Sequence, residues 1–234
     1  MADSDRFKND EILMGLLLKR KRIIHKASGK KAVFFDILKD RIKTNGSLKY
    51  TLIYVPEGNE PSEYYDNDSD SQDIISDDVE TQHLIEEYTR IVAEVDPHTT
   101  VMQFTGETAN RDEILEKFAK GQLDVLTSMK CLDEGVDVPR SEMAIFCAST
   151  GNPRQFIQRR GRILRTHKDK KFAIIHDLVV VPKMDYASPS YKMERNLLNN
   201  EMKRVREFAN LSQNSSGIVK ELEDILIYYN LPTF

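Results

Sequence analysis

The sequence predicts an α/β protein in which a parallel β-sheet is covered by helices on both faces. Short apolar runs that predict strands alternate along the chain with amphipathic stretches that predict helices. The strand candidates are continuous apolar runs, which is typical of strands that are buried on both faces. No internal repeat with a period of roughly 20–50 residues is visible.

Each element is predicted from its periodicity and from the residues that begin or end it. Asn110 is expected to cap one helix and Gly121 to end it. Asn152-Pro153 is expected to start another helix, and Gly161 to end it. The predicted helices cover 9–28, 29–45, 81–95, 110–121, 153–160, about 190–211 and 215–229. The predicted strands cover 50–56, 99–106, 122–129, 142–149 and 171–179.

These elements divide the chain into three parts. Residues 1–45 hold two helices that lead into an α/β lobe over 46–182, and 183–234 form a helical extension. Within the lobe, residues 57–80 hold ten acids and no base, which predicts a disordered insertion. A solvated loop is one interpretation of this acidic segment. An acidic flap that mimics nucleic acid and screens a basic surface is the other.

Charge is segregated along the chain, although the formal net charge of −4 does not suggest a nucleic-acid-binding protein. Residues 19–31 carry seven Lys or Arg and no acid, and 154–171 carry eight basic residues against one acid. A local basic field decides whether a polyanion binds. The basic helix over 9–28 is therefore either a solvated face or a strip that follows nucleic-acid phosphates or docks on another lobe.

Cysteine content and hydropathy indicate a soluble, cytoplasmic protein. Cys131 and Cys147 are too few for a disulfide framework and are expected to be reduced. The apolar run at 12–18 is too short to span a bilayer, and acids precede it where a signal peptide carries positive charge.

The segment QFIQRRGRILR (155–165) contains four arginines, whose guanidinium groups stay charged at any pH a protein meets. Their partner is a nucleic-acid backbone, a nucleotide triphosphate or solvent. Because the segment follows a predicted strand, its first residues are expected at the carboxyl edge of the sheet, where α/β proteins bind ligands. Phe156, Ile157 and Ile163 are expected to pack inward, and Arg162 and Arg165 to lie beyond the helix end.

A second segment, VLTSMKCLDEGVDVP (125–139), favours the nucleotide among these partners. Gly135 lets the backbone approach a ligand closely, and Asp137 can accept hydrogen bonds from ribose hydroxyls. The segment is expected on the strand beside the one that leads to the arginines. The two segments together predict a site for a nucleotide phosphate.

Several stretches resemble the motifs of superfamily 2 helicases. QRRGRILR resembles motif VI, LDEGVDVP resembles motif V, and TLIYVPEG resembles motif IV. FTGETANRDEILEKFAKGQLDVL resembles the segment between motifs IV and V in the group that includes XPB-like helicases and type III restriction subunits. The resemblance covers roughly 29–180.

The resemblance implies the second, C-terminal RecA-like lobe of a P-loop NTPase-type motor. In such enzymes ATP with Mg²⁺ binds between two lobes, and the N-terminal lobe supplies the phosphate loop and the metal carboxylates. Arg162 would contact the phosphate, Arg165 would be the arginine finger, and Gln158 would orient or sense the nucleotide. Gly135 and Asp137 would lie near the ribose. A planar cation stabilises charge on a transferring phosphoryl group.

The implied second partner is nucleic acid, with DNA expected rather than RNA. Many relatives place a threonine of motif V on the nucleic-acid backbone, whereas this chain has Met129, which donates no hydrogen bond. Thr127, Ser128 or backbone amides are expected to substitute for it. The other candidates for nucleic-acid contact are Thr105, Gly106 and Arg111.

No phosphate loop accompanies these motifs. The nearest string, SGKKA (28–32), lacks the first glycine and the hydroxyl residue of the G-x-x-x-x-G-K-[ST] pattern. The chain is therefore expected to be an excised motor lobe that is inactive alone and that works beside an N-terminal lobe of the same protein. Two alternatives are a non-catalytic RecA-like module that binds nucleic acid or protein, and a motor subunit of a restriction or defence complex.

Overall fold

The computed structural model describes residues 24, 27, 29–56, 72–129, 138–147 and 153–233. The predicted helix at 9–28 falls almost wholly outside these residues. Within them, five parallel strands form one sheet in the order β2-β3-β1-β4-β5. The strands are β1 (Thr51–Tyr54), β2 (Val101–Phe104), β3 (Val125–Ser128), β4 (Met143–Phe146) and β5 (Ile174–Asp177). All five predicted strands are confirmed, each at a shorter length.

Six described helices accompany the sheet. They are α1 (Gly29–Asn45), α2 (Gln72–Val95), α3 (Arg111–Ala119), α4 (Pro153–Ile163), α5 (Tyr191–Ala209) and α6 (Ser215–Tyr228). The chain divides into two compact units. The first contains Met1–Ala148 and Gln158–Leu178, and the second contains Ser149–Ile157 and Val179–Phe234.

The sheet of the first unit is covered on both faces, as predicted. One face packs under α1 and α2 through alternate strand residues such as Ile53, Val125 and Ile145, which are fully buried. Residues that alternate with these, such as Tyr54, point to the opposite face. The α/β class with a parallel sheet is therefore confirmed.

Helix α2 begins nine residues before the predicted boundary at residue 81. The backbone of 72–80 is helical, which corrects the expectation of disorder for that stretch, while 57–71 lies outside the described residues. The end of the helix is fixed by Ile85, Tyr88 and Val92, all of which are buried. Once such a segment is anchored, each further helical residue adds a hydrogen bond.

Helix α3 begins and ends where predicted, but its first turn is not capped by a side chain as expected. Asn110 is the N-cap residue, with φ 53° and ψ 42°, and its side chain makes no capping hydrogen bond. The left-handed backbone, rather than the side chain, redirects the chain here. Gly121, with φ +70°, follows the helix end as expected, and a Cβ there would lie 2.6 Å from the hydroxyl oxygen of Tyr50.

The second unit contains the two predicted C-terminal helices, α5 and α6. They pack through buried residues that include Leu198, Met202, Leu226 and Tyr229. An intrahelical ion pair joins Glu201 and Arg204, whose closest atoms are 2.9 Å apart.

Two other charged residues of α5 contact residues near the end of the chain. Arg206 donates to the carbonyl of Pro232, and Glu194 accepts from the hydroxyl of Tyr229. Among the described residues, no helix is long and apolar enough to cross a membrane.

Candidate functional site

The arginine segment forms a longer helix than predicted. Helix α4 covers Pro153–Ile163, so Pro153 is its first residue as expected, but Gly161 lies inside it. The expectation that Gly161 ends the helix is wrong. The amide of Leu164 still donates to the carbonyl of Arg160 at 3.0 Å. Glycine inside a helix costs about 1 kcal/mol relative to alanine, and full burial of Ile163 in the last turn offsets that cost.

Helix α4 has a buried face and an outward face. Arg159 and Ile163 are four residues apart, and their side chains are 3% and 0% exposed. Gln158 and Arg162 are four residues apart, which places them on another side of the helix, and Arg165 lies just past the helix end, where its amide donates to the carbonyl of Arg162 at 3.4 Å. Gln158 and Arg165 are exposed and Arg162 is half-buried. Two of the three residues predicted to meet the nucleotide therefore share one side of α4, and the third follows its end.

The apolar residues of this segment divide differently from the expectation. Ile163 packs inward as predicted, whereas Ile157 is 43% exposed. Residues two positions apart lie about 200° around a helix from each other, so Ile157 is nearly opposite Arg159. The side chain of Phe156 lies outside the described residues.

A buried cation–π contact anchors α4 to the sheet. The guanidinium carbon of Arg159 lies 5.3 Å from the centroid of the Tyr54 ring at the carboxyl end of β1. The Tyr54 ring stacks on Phe146 of β4, with centroids 4.8 Å apart and an interplanar angle of 16°. A cation that has lost its water is attracted strongly to an aromatic face. Arg159 thus serves the scaffold, and the other arginines of the segment lie on different sides.

The end of α4 lies at the amino edge of the sheet, the edge opposite to the one where the first residues of the segment were expected. Lys170 Nζ donates to the carbonyls of Ile163, at 2.6 Å, and Pro139, at 3.2 Å. Pro139 lies in the turn that enters β4, where the amide of Ser141 donates to the carbonyl of Val138. The helix starts after the carboxyl end of β4 and runs back along the strands, so Arg162 and Arg165 belong to the opposite edge.

Of the motif V segment, the structure describes only the last two residues, Val138 and Pro139. Gly135 and Asp137 lie outside the described residues, so their predicted roles near the ribose stay predictions. Val138 is 2% exposed and begins the turn that Lys170 contacts. The expectation that this segment and the arginine segment follow neighbouring strands is wrong, because β1 lies between β3 and β4.

The candidates for nucleic-acid contact gather at the carboxyl edge, where β2 and β3 pair with Phe104 opposite Ser128. Arg111 donates to the carbonyl of Thr105 at 3.3 Å and lies over the Phe104 ring at 4.9 Å. The amide of Thr105 donates to the hydroxyl of Thr108, and Gly106 is exposed in the same turn. Arg111 therefore braces the backbone of a surface turn.

The hydroxyls of β3 are held inside the lobe. Thr127 is fully buried, and its hydroxyl oxygen lies 2.9 Å from that of Thr89 in α2. Ser128 is fully buried and donates to the carbonyl of Met129. A contact between either hydroxyl and nucleic acid would require these bonds to be exchanged, so both assignments stay predictions.

The arginine segment carries donors that fit an anion. Arg162 and Arg165 supply planar cations that match phosphate oxygens. Both already take part in contacts within the chain, which a nucleotide would have to exchange for its own. In the described ranges, no three His, Cys, Asp or Glu side chains are grouped so that they could hold a metal ion. A phosphate group is therefore the part of ATP with Mg²⁺ that these residues suit.

Three residues of this arrangement were missed by sequence reasoning, namely Tyr54, Arg159 and Lys170. The spacing of Arg159 four residues before Ile163 was a usable signal for the buried face. Lys170 had no such signal, because its carbonyl partners come from two turns that only the fold brings together.

Residues 69–167 match the family model of the helicase conserved C-terminal domain. The chain is 42% identical over 86 residues to the DNA 3'-5' translocase XPB2 of Sulfurisphaera tokodaii. The aligned residues are 37% of this chain and 19% of that protein. It is 32% identical over 99 residues to Dicer-like protein 2 of Pyricularia oryzae, covering 42% and 6% of the two chains. The helicase domain of Pyrococcus furiosus Hef aligns with a TM-score of 0.43 and 17% identity, covering 65% and 26%.

Proposed function

We propose that this chain, in which residues 69–167 match the helicase conserved C-terminal domain of superfamily 2, is the second motor lobe of an ATP-dependent helicase or translocase. The observation that carries the proposal is the placement of Gln158 and Arg162 on one side of α4, with Arg165 just past its end. A neighbouring side of the helix is fixed by buried Arg159 and Ile163. A rigidly held helix that presents cations can stabilise charge on a transferring phosphoryl group.

In this proposal the triphosphate of ATP binds at the amino edge of the sheet. Arg165 is the arginine finger, Arg162 contacts the phosphate, and Gln158 orients the nucleotide. Gly135 and Asp137 approach the ribose from the segment that ends at Pro139. ATP supplies the phosphoryl group and Mg²⁺ neutralises its charge, both held mainly by the N-terminal lobe of the same protein.

The proposed nucleic-acid surface lies at the opposite, carboxyl edge. Thr105 and Gly106 offer the backbone of an exposed turn, and Arg111 stiffens that turn from behind. Because Thr127 and Ser128 are buried, contact at β3 is expected to come from backbone amides. DNA is the proposed nucleic acid, since the Sulfurisphaera relative is described as a DNA translocase.

The direct test is DNA-stimulated ATP hydrolysis by the protein that contains both lobes. Arg165→Ala is expected to lower kcat by roughly 10³-fold or more, the usual contribution of an arginine finger. Arg160→Ala is the matched control, because it removes the same charge from the same segment, inside α4 and five residues before Arg165. Equal activity of wild type and Arg165→Ala would remove Arg165 from this role.

Two further outcomes separate the alternatives. The 234-residue chain alone is expected to show no turnover with ATP and DNA, and clear turnover would contradict its assignment as half of a site. Salt-dependent DNA binding without any ATPase in the two-lobed protein would favour the non-catalytic module instead.

A further inference from the structure

Lys170 joins two segments that are far apart in the chain. Its ammonium donates to the carbonyl of Ile163 at the end of α4 and to the carbonyl of Pro139 in the turn that enters β4. Neither a helix nor a strand lies between Leu164 and Ala173, so Lys170 sits in an irregular connection. That connection is the stretch that carries Arg165.

A lysine side chain suits the two carbonyls that Lys170 contacts. The last carbonyls of a helix have no partner inside the helix and carry partial negative charge. An ammonium group has three donors and can serve two such oxygens from different segments at once. Partial burial lowers the pKa of Lys170, Glu142 opposes that shift and Arg140 adds to it, so the charge is held at some cost by its surroundings.

We propose that Lys170 is a positioning residue that fixes the end of α4, and with it Arg162 and Arg165, to the turn at Val138–Arg140. This inference rests on the proposed function, because the turn follows Asp137 directly and the helix end carries the phosphate-binding arginines. The two carbonyl contacts set the distance between the ribose side and the phosphate side of the nucleotide site.

An ordinary helix cap would need only the Ile163 carbonyl. The second bond, to Pro139, serves no helix, because Pro139 belongs to a turn that precedes a strand. The structure therefore gives Lys170 a bridge between two motifs in addition to a cap for one helix. Catalysis is sensitive to such a bridge, since a misplacement of about 1 Å can lower a rate by roughly 100-fold.

The first experiment tests the bridge itself in the 234-residue chain by hydrogen–deuterium exchange. Lys170→Met keeps the side-chain length and removes the donors, and Lys171→Met removes the same charge from the next, exposed residue. In Lys170→Met, exchange is expected to be about 5-fold faster in both 138–141 and 160–165, with other peptides unchanged. Exchange equal to wild type in either segment would overturn the bridge.

The second experiment tests positioning in the protein that contains both lobes, by DNA-stimulated ATP hydrolysis. Lys170→Met is expected to lower kcat by roughly 10- to 100-fold with less than about a 2-fold change in the KM for ATP. Lys170→Arg, which can still donate to two carbonyls, is expected to recover part of the loss. Lys171→Met is expected to keep the wild-type rate.

The outcomes separate the two proposals. Faster exchange in both segments with an unchanged kcat would leave a structural bridge and overturn its role in positioning. A uniform rise in exchange across the chain would mean general destabilisation and would also overturn it. Absence of ATPase in wild type would overturn the proposed function, while the exchange experiment would still decide whether the bridge exists.

Discussion

The contact between Arg159 and Tyr54 is expected to contribute about 1–2 kcal/mol to the stability of the first unit, the range for a desolvated cation–π pair. The guanidinium lies 5.3 Å from the ring centroid, and the two residues are 3% and 1% exposed. A double-mutant cycle of Arg159→Met and Tyr54→Leu isolates this energy. The cycle cancels the stacking of Tyr54 on Phe146, which the tyrosine substitution also removes.

The measurement is urea unfolding of the 234-residue chain, followed by circular dichroism, for the four members of the cycle. The double substitution should lower the free energy of unfolding by less than the sum of the two single substitutions, and the difference is the coupling energy. Repeating the cycle with Tyr54→Phe, which keeps the aromatic face, is the control, and its coupling energy should be close to zero because the contact with Arg159 is retained. A coupling below about 0.3 kcal/mol in the cycle with Tyr54→Leu, within the scatter of additive pairs, would refute the interpretation that this contact anchors α4.

Three further outcomes are expected from the same chain. Glu142→Leu should cost about 2–3 kcal/mol of unfolding free energy, because it leaves Arg41, which is 7% exposed, without its carboxylate partner. Arg41→Met should cost only about 1 kcal/mol, because Glu142 keeps its other partner, Arg140. Equal costs of the two substitutions in urea unfolding would contradict this. Gly121→Ala should cost about 1–2 kcal/mol through its positive φ and its contact with the Tyr50 hydroxyl, and adding Tyr50→Phe should recover part of that; no recovery would argue against the contact. Burial raises the pKa of the Cys147 thiol, so with the other cysteine replaced by serine a thiol reagent at pH 8 should label it only in denaturant; rapid labelling of the native chain would contradict its burial.

The strands and helix types were predictable because their signals are local. Continuous apolar runs such as 51–54 identify buried strands, and Gly121, which follows the last apolar residue of a helical pattern, marks the end of that helix. The end of α4 was not predictable from Gly161, because glycine adopts helical and left-handed backbones almost equally well. Burial of Ile163 decides between them, and burial is a property of the whole fold.

The order of the strands was the second feature that local signals could not supply. Motif V and the arginine segment follow each other in the sequence, yet β1 lies between their strands. The apolar runs of β1, β3 and β4 are interchangeable as patterns, since each is buried at all four residues. Their order depends on how the connections cross the sheet.

The position of the arginines could have been derived from topology alone. Two neighbouring parallel strands need a crossover, and its helix must run back from the carboxyl edge to the amino edge. Helix α4 joins β4 to β5, which pair in parallel, and its 11 residues extend about 16 Å, more than a four-residue strand. The general preference of ligands for the carboxyl edge applies to the first turn of such a helix. Arg162 and Arg165 lie at its last turn and just after it, so the same rule places them at the opposite edge.

This topology has a consequence for how the proposed motor would couple its two ligands. The proposed phosphate contacts lie at the amino edge, and the turn at Thr105 and Gly106 lies at the carboxyl edge, with the sheet between them. Tyr54 ends β1 at the carboxyl edge, and Arg159, four residues before the buried end of α4, lies over its ring. A shift of α4 that accompanies nucleotide binding would therefore move a cation against the carboxyl end of β1, the strand that neighbours β3. The coupling energy of the Arg159–Tyr54 pair bounds how much free energy this contact can transmit between the two edges.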